Sequence, residues 1–358
     1  MTLTERITDG IIRSNRSRGR RRMAAAAGVA AWACAALLLA GGCARRGNPA
    51  DGGGLEGYRV VAILPVDGYP EDLKVYGDLA VIAAGQQGIV LADVSDPASP
   101  ALLGVGESVY EATGCDYAPT DSLAYMTDGS VGAVVFDARD PLHPVNLTSC
   151  QGTRTRDLEV VEHTPGLLHY IFAADGEGGF RVWELRYYPA YDAWFGNGVY
   201  QGDTQGSARG VCVHDGTAFV AAEQLGLVMF DVTDPDGPVR LGAVDTPGEA
   251  RAVAASGQYA FVADWRAGVQ VVDVADPMNP EIVATIDTPG MAVGVFRHGD
   301  LLYAACHTGG VVVFDVADPL APVPAGSIGT PYANAAFATD THVFIADRDW
   351  GLVVAEEE

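Results

Sequence analysis

Three arginines, Arg156, Arg209 and Arg251, stand at matching places in consecutive copies of an internal repeat. Planar guanidinium groups brought together in this way can clamp a carboxylate, either on a small ligand or on a partner's acidic side chain. The chain has 22 basic against 46 acidic residues and only one lysine, Lys74, so clustered arginine stands out. Glu71, Thr113, Val293 and Asn334 hold the same place in the other copies. A second series, Asp128, Asp175, Glu223, Asp264, His307 and Asp347, falls in the next loop of each copy, with Trp265 and Trp350 beside it. Arg156, Arg209, Arg251, Asp175, Asp264, His307 and Asp347 are therefore the candidate binding mouth. The competing reading is that each arginine pairs with a neighbouring loop acid and ties adjacent copies together.

Other chemistry is sparse. Asp175-Gly176-Glu177 and Asp347-Arg348-Asp349 offer oxygens that a calcium ion could take, but neither matches an EF-hand loop. No cysteine or histidine spacing forms a metal motif, and no nucleophile elbow or phosphate loop is present, so no catalytic residue and no cofactor is assigned. Cys115, Cys150, Cys212 and Cys306 are expected as buried free thiols. Tyr187, Tyr188, Tyr191, Trp194 and Phe195 crowd one insertion and form a candidate aromatic contact loop, for protein or for sugar rings. Asp93, Asp137, Asp231, Asp273 and Asp315 each precede a turn of the form Asp-x-x-Asp-Pro, and such repetition is scaffold chemistry: the carboxylate accepts backbone hydrogen bonds in the turn.

The elements that must position these residues follow from the repeat. GIVLADVSDP from Gly88, GAVVFDARDP from Gly132, GFRVWELRYYP from Gly179, GLVMFDVTDP from Gly226, GVQVVDVADP from Gly268, GVVVFDVADP from Gly310 and GLVVAEEE from Gly351 align on their glycines, 41 to 47 residues apart. Each copy holds four short apolar or β-branched runs separated by Gly, Pro, Asn and Asp turns, as between Glu249 and Gly290. Four strands per unit at this period make a propeller blade. The last copy stops at its third strand, and Arg59 to Val66 has the pattern of a fourth. The fold is thus expected to be all-β, a seven-bladed β-propeller spanning 58–358, in which the N-terminal strand closes the last blade and removes an open edge. The loops carrying the arginines and the Asp/His series share one face around the central channel. The third copy, with insertions at His163 to Tyr170 and Arg186 to Gly202, projects its aromatics from the opposite face.

GLVMFDVTDP, GVQVVDVADP and GVVVFDVADP resemble the bacterial family named for its Leu-Val-Ile-Val-Asp core. That resemblance implies a cell-surface or periplasmic propeller, in a family without an established common activity. The third copy departs furthest, with Glu184 where Asp is usual and no Asp-Pro turn.

The first forty-three residues read as an address: an arginine-rich stretch, an uncharged run from Met23 to Gly42, then small residues before Cys43. Leu39-Ala40-Gly41-Gly42-Cys43 resembles a bacterial lipobox, which implies lipidation at Cys43 after cleavage. The leucine stands one place further from the cysteine than in the usual pattern. Residues 44–57 read as a flexible tether. The same resemblance implies an outer-membrane or cell-surface anchor, because Ala44 stands after the cysteine where an Asp would signal inner-membrane retention. The strongly acidic remainder argues against nucleic-acid partners. The expected protein is a membrane-tethered, exported, monomeric propeller that binds an envelope or extracellular protein without catalysing a reaction. The alternatives are a surface carbohydrate-binding module and a lyase- or hydrolase-type enzyme at the arginine mouth.

Overall fold

The computed structural model describes residues 57–358. The expected leader, Cys43 and most of the tether lie outside the described residues.

Seven four-stranded antiparallel sheets form the seven blades of a propeller. Six are continuous in sequence: blade 1 (72–106), blade 2 (115–150), blade 3 (157–202), blade 4 (210–244), blade 5 (252–286) and blade 6 (294–328). Blade 7 takes three strands from 333–357 and its outer strand, Tyr58–Leu64, from the other end of the domain. That strand pairs antiparallel with the last one, Tyr58 facing Glu357 and Leu64 facing Leu352. The third strand of blade 7 therefore has no bare edge, as the sequence pattern required.

Burial explains the residue types. The third strands, such as Ile89–Asp93 and Val311–Asp315, are buried on both faces until their final Asp, so they are continuous apolar runs rather than alternating ones. Inner strands alternate, as in Asp72–Tyr76, because one side packs between blades and the other faces the axis. The apolar core of the described residues is divided into seven clusters, one at each blade interface. Between blades 3 and 4, Phe180 stacks on Phe230 with centroids 4.7 Å apart. A blade alone would leave both such faces wet, so the blades are stable only as a ring.

The aligned glycines have a steric cause. Gly88, Gly132, Gly179, Gly226, Gly268, Gly310 and Gly351 all have positive φ. A Cβ at Gly88 would come within 2.1 Å of the Gly106 carbonyl oxygen, and the other six meet an equivalent carbonyl. The recurring aspartates are turn acceptors: Asp93 takes the Ser95 N–H at 2.9 Å and Asp273 that of Ala275 at 2.9 Å. Cys115, Cys150, Cys212 and Cys306 form no disulfide among the described residues.

Candidate functional site

Each blade sets one residue at the head of its inner strand around the axis. In five blades the same hydrogen bond fixes it: Glu71, Arg156, Arg209, Arg251 and Val293 each donate their backbone N–H to the last residue of the neighbouring second strand, at 2.8–2.9 Å. Glu71, Thr113, Arg156, Arg209, Arg251, Val293 and Asn334 all line one cavity of about 350 Å³ at the channel mouth. The matching places read in the sequence thus converge on one site.

The three arginines are not equivalent. Arg209 is paired with Glu223, and Arg251 with Glu249, while Glu223 also lies 3.9 Å from Arg251. Arg251 further rests over the ring of Trp265, 4.3 Å from its centroid. The Arg156 side chain makes no ion pair or hydrogen bond among the described residues. Burial, then the charges of Arg209 and Arg154, push its pKa below the usual arginine range. Two arginines therefore satisfy the structural reading and one does not.

The second series divides into two kinds of position, which corrects the expectation that it forms one set. Asp128, Asp175, Asp264 and Asp347 are buried latches outside the cavity. Each accepts donors from the loop that arrives from the preceding blade: Asp128 from Val109 and Tyr110 N–H, Asp175 from Thr153 and Arg154 N–H, Asp264 from Gly248 N–H and Thr246 Oγ1, Asp347 from Tyr332 N–H. Their carboxylates substitute for the pairing that an irregular loop lacks. Asp175 and Asp347, considered for calcium, are committed to this work.

Glu223, Trp265 and His307 occupy the next position, in left-handed backbone with φ of 46°, 53° and 49°. The same place in blades 1–3 is Gly85, Gly129 and Gly176, also left-handed. Three blades therefore carry a bulky side chain where glycine is the unstrained choice, and Trp265 and His307 line the cavity. His307 stacks on Tyr332 at 4.4 Å and meets Trp265 edge-on at 5.4 Å. Its Nδ1 is buried without a hydrogen-bond partner among the described residues. Burial, then Arg251 and Arg348, lower its pKa to about 4, so the ring is neutral at pH 7. On the far side Glu71 is pushed up to about 7 by burial and then by Glu111.

Below the mouth lies a cluster that the sequence reading missed. Asp72, Asp116, Asp157 and Glu159 on the inner strands of blades 1–3 each accept a backbone N–H of the next blade's inner strand, from Cys115, Val160, Val211 and Val213. An inner strand is a sheet edge, so those N–H groups have no ladder partner, and the carboxylates supply one. Asp157 and Glu159 are pushed up to about 7, burial being the main cause. Lys74 sits among them; burial opposes its charge, but the four carboxylates prevail and raise its pKa. The available signal was that the only lysine falls on an inner strand at the level of Asp116 and Glu159.

On the opposite face the long hairpin of blade 3, Phe180–Tyr188 and Ala193–Gly202, carries the aromatics. Trp194 turns inward against Tyr187 and His169. Tyr188, Tyr191 and Phe195 remain exposed and meet edge to face, forming a knob rather than a flat platform. Of the five residues expected in the contact loop, Trp194 is thus packed inward and Tyr188, Tyr191 and Phe195 are left at the surface.

The family model of the LVIVD repeat matches residues 67–105, 205–246, 247–288 and 289–330, which are blades 1, 4, 5 and 6 with the loops that flank them. No curated protein matches the chain. Among solved structures, "Structure of U3-55K" is similar with a TM-score of 0.64 at 11% identity, over 85% of this chain and 100% of that one. The computationally designed Ika8 protein gives 0.57 at 10% identity, over 80% and 83%. At such identities the likeness concerns the fold alone.

Proposed function

We propose that this chain, a seven-bladed β-propeller carrying LVIVD repeats, is a non-enzymatic binding module whose mouth takes the acidic group of an envelope or extracellular protein. Cys43 would hold it to the membrane by its lipid. The observation that carries the reading is the unpaired, half-buried Arg156 in a cavity of about 350 Å³, a space that fits a side chain or a small anion. The walls support binding over catalysis. Thr113 is the sole hydroxyl in the lining, and it donates to the Arg156 carbonyl at 2.7 Å. Arg209 and Arg251 in the lining are held by Glu223 and Glu249, and His307 stacks on Tyr332 with Trp265 edge-on to it.

Capture from the protein's own envelope, with the parent and with Arg156→Ala, tests this. A stoichiometric protein held by the parent and lost by the variant supports the mouth. One held equally by both places the contact elsewhere, at the exposed Tyr188, Tyr191 and Phe195. Glu71 favours a second reading, an enzyme of lyase or hydrolase type, because a carboxyl near pKa 7 can act as acid or base at neutral pH. Turnover abolished by Glu71→Gln would establish that reading instead.

A further inference from the structure

We infer that Asp121, Glu162 and His169 form a divalent metal site on the face opposite the mouth, with Zn²⁺ the ion that best fits their donors. Blade 3 departs from the repeat by lengthening its first two strands to Asp157–Thr164 and Leu168–Ala174. The added length places Glu162 directly across from His169. The turn before the second strand of blade 2 brings in Asp121. One ligating atom from each of the three lies within 4.8 Å of the others, a separation that one small cation can bridge by modest side-chain movement.

The surroundings are those of an oriented ligand set. The His169 ring is fully buried and fixed from behind, its Nδ1 2.5 Å from the Tyr125 hydroxyl. That contact leaves Nε2 as the coordinating atom, 2.7 Å from Asp121 Oδ2. A second partner on the far nitrogen is the usual way a ligating imidazole is aimed. Asp121 Oδ2 also accepts the Gly166 N–H at 2.9 Å, and Glu162 accepts that of Thr120 at 3.3 Å. Trp194 covers the ring from one side at 5.1 Å. Asp121 borders a cavity of about 450 Å³, which gives a bound ion room for water ligands.

A plain histidine–aspartate hydrogen bond would account for two of the three residues, but not for the second carboxylate. Nor does the repeat demand the group: all three ligands lie in blades 2 and 3, outside the stretches matched by the LVIVD model. One imidazole nitrogen and two carboxylate oxygens suit Zn²⁺, while calcium prefers an all-oxygen shell. Coordination needs the Nε2 lone pair, so the neutral ring binds as its Nδ1–H tautomer, with that single proton directed to the Tyr125 oxygen.

The test is calorimetric titration of ZnCl₂ into the full chain after chelator treatment, alongside Glu162→Gln and His169→Gln. Glu162 is only half-buried, so its variant keeps the fold even where the buried His169 variant does not. The expected result is one equivalent bound by the parent, at least tenfold weaker binding by Glu162→Gln, and a Zn²⁺-dependent rise in Tm confined to the parent. Equal binding by parent and Glu162→Gln, or no saturable binding by the parent at about 100 µM ZnCl₂, overturns the assignment and leaves a hydrogen-bonded tie between blades.

Discussion

Glu223 is paired with Arg209 and lies 3.9 Å from Arg251, so a single carboxylate is shared by two of the three mouth arginines and makes no ion pair with the third. Removing the Arg156 charge should therefore abolish partner binding while leaving Tm within about 2 °C, since a half-exposed side chain with no ion pair or hydrogen bond contributes little to stability. Glu223→Gln should do the reverse at the mouth: with Arg209 released, affinity for an acidic partner should rise about fivefold, roughly 1 kcal/mol. Binding isotherms of the captured partner with both variants check the pair of outcomes.

Trp265 and His307 hold left-handed backbone where blades 1–3 have glycine. Replacing either by Gly removes strain of about 1 kcal/mol but also removes the Arg251–Trp265 contact or the stack on Tyr332. The two effects are of similar size and opposite sign, so Tm should change little. Partner affinity should nevertheless fall at least tenfold in each variant. A large loss of Tm with unchanged affinity would make these side chains packing residues and nothing more.

The glycine period and the Asp-Pro turns made the blades legible because a repeated steric demand leaves the same residue at every copy: each of the seven glycines avoids an equivalent carbonyl. The ring of inner-strand heads was legible for the same reason. The two kinds of position in the next loop were not, since Asp264 and Trp265 are neighbours in sequence yet one is buried under a loop and the other faces the cavity. The Lys74 cluster and the Asp121–Glu162–His169 group were hidden because each joins residues of two or three blades, whose copies stand roughly forty residues apart in sequence. No local pattern records which side chains two blades bring together.

Stability should increase on mild acidification. Asp157, Glu159 and Glu71 are pushed up to about 7 in the fold, whereas unfolded carboxyls titrate near ~4. The folded chain thus binds more protons in this window, and stability is gained as pH falls from about 7 towards ~4. His307 works the other way: its folded value of about 4 lies below the ~6.5 of a free imidazole, so stability is lost as pH falls through that range. Three carboxylates outweigh one imidazole, and Tm should be higher at pH 5.5 than at pH 8. Asp157→Asn should flatten the slope. A Tm that declines steadily from pH 8 to 5.5 would show that these carboxyls titrate normally.

Asp175 should be far more costly to remove than Asp93, although both accept hydrogen bonds in turns. Asp175 is fully buried, and without it the Thr153 and Arg154 N–H groups, the Thr155 hydroxyl and the Arg181 guanidinium all lose their acceptor. Several orphaned donors, one of them charged, put the loss for Asp175→Ala at about 3 kcal/mol. Asp93 is solvated and its donor can turn to water, so Asp93→Ala should leave Tm nearly unchanged. Denaturant melts of the two variants compare them directly.

The ring's closure depends on one strand that is remote in sequence. Tyr58–Leu64 covers the edge of Gly351–Glu357, and its Val61, Ala62 and Leu64 pack into the core between blades 7 and 1. Tyr58 reaches blade 6 as well, its ring edge-on to Tyr303 with centroids 6.5 Å apart. Deleting 58–64 would leave a third strand that is apolar on both faces with a bare row of N–H and C=O groups, the arrangement that recruits a strand from another molecule. The expected outcome is a large fall in Tm together with concentration-dependent oligomers in light scattering. Supplying the deleted segment as a separate peptide should restore the monomer, because the register with Leu352 to Glu357 is set by side chains that remain in place. If the truncated chain stays monomeric and melts as the parent does, the blade is closed by its three C-terminal strands alone.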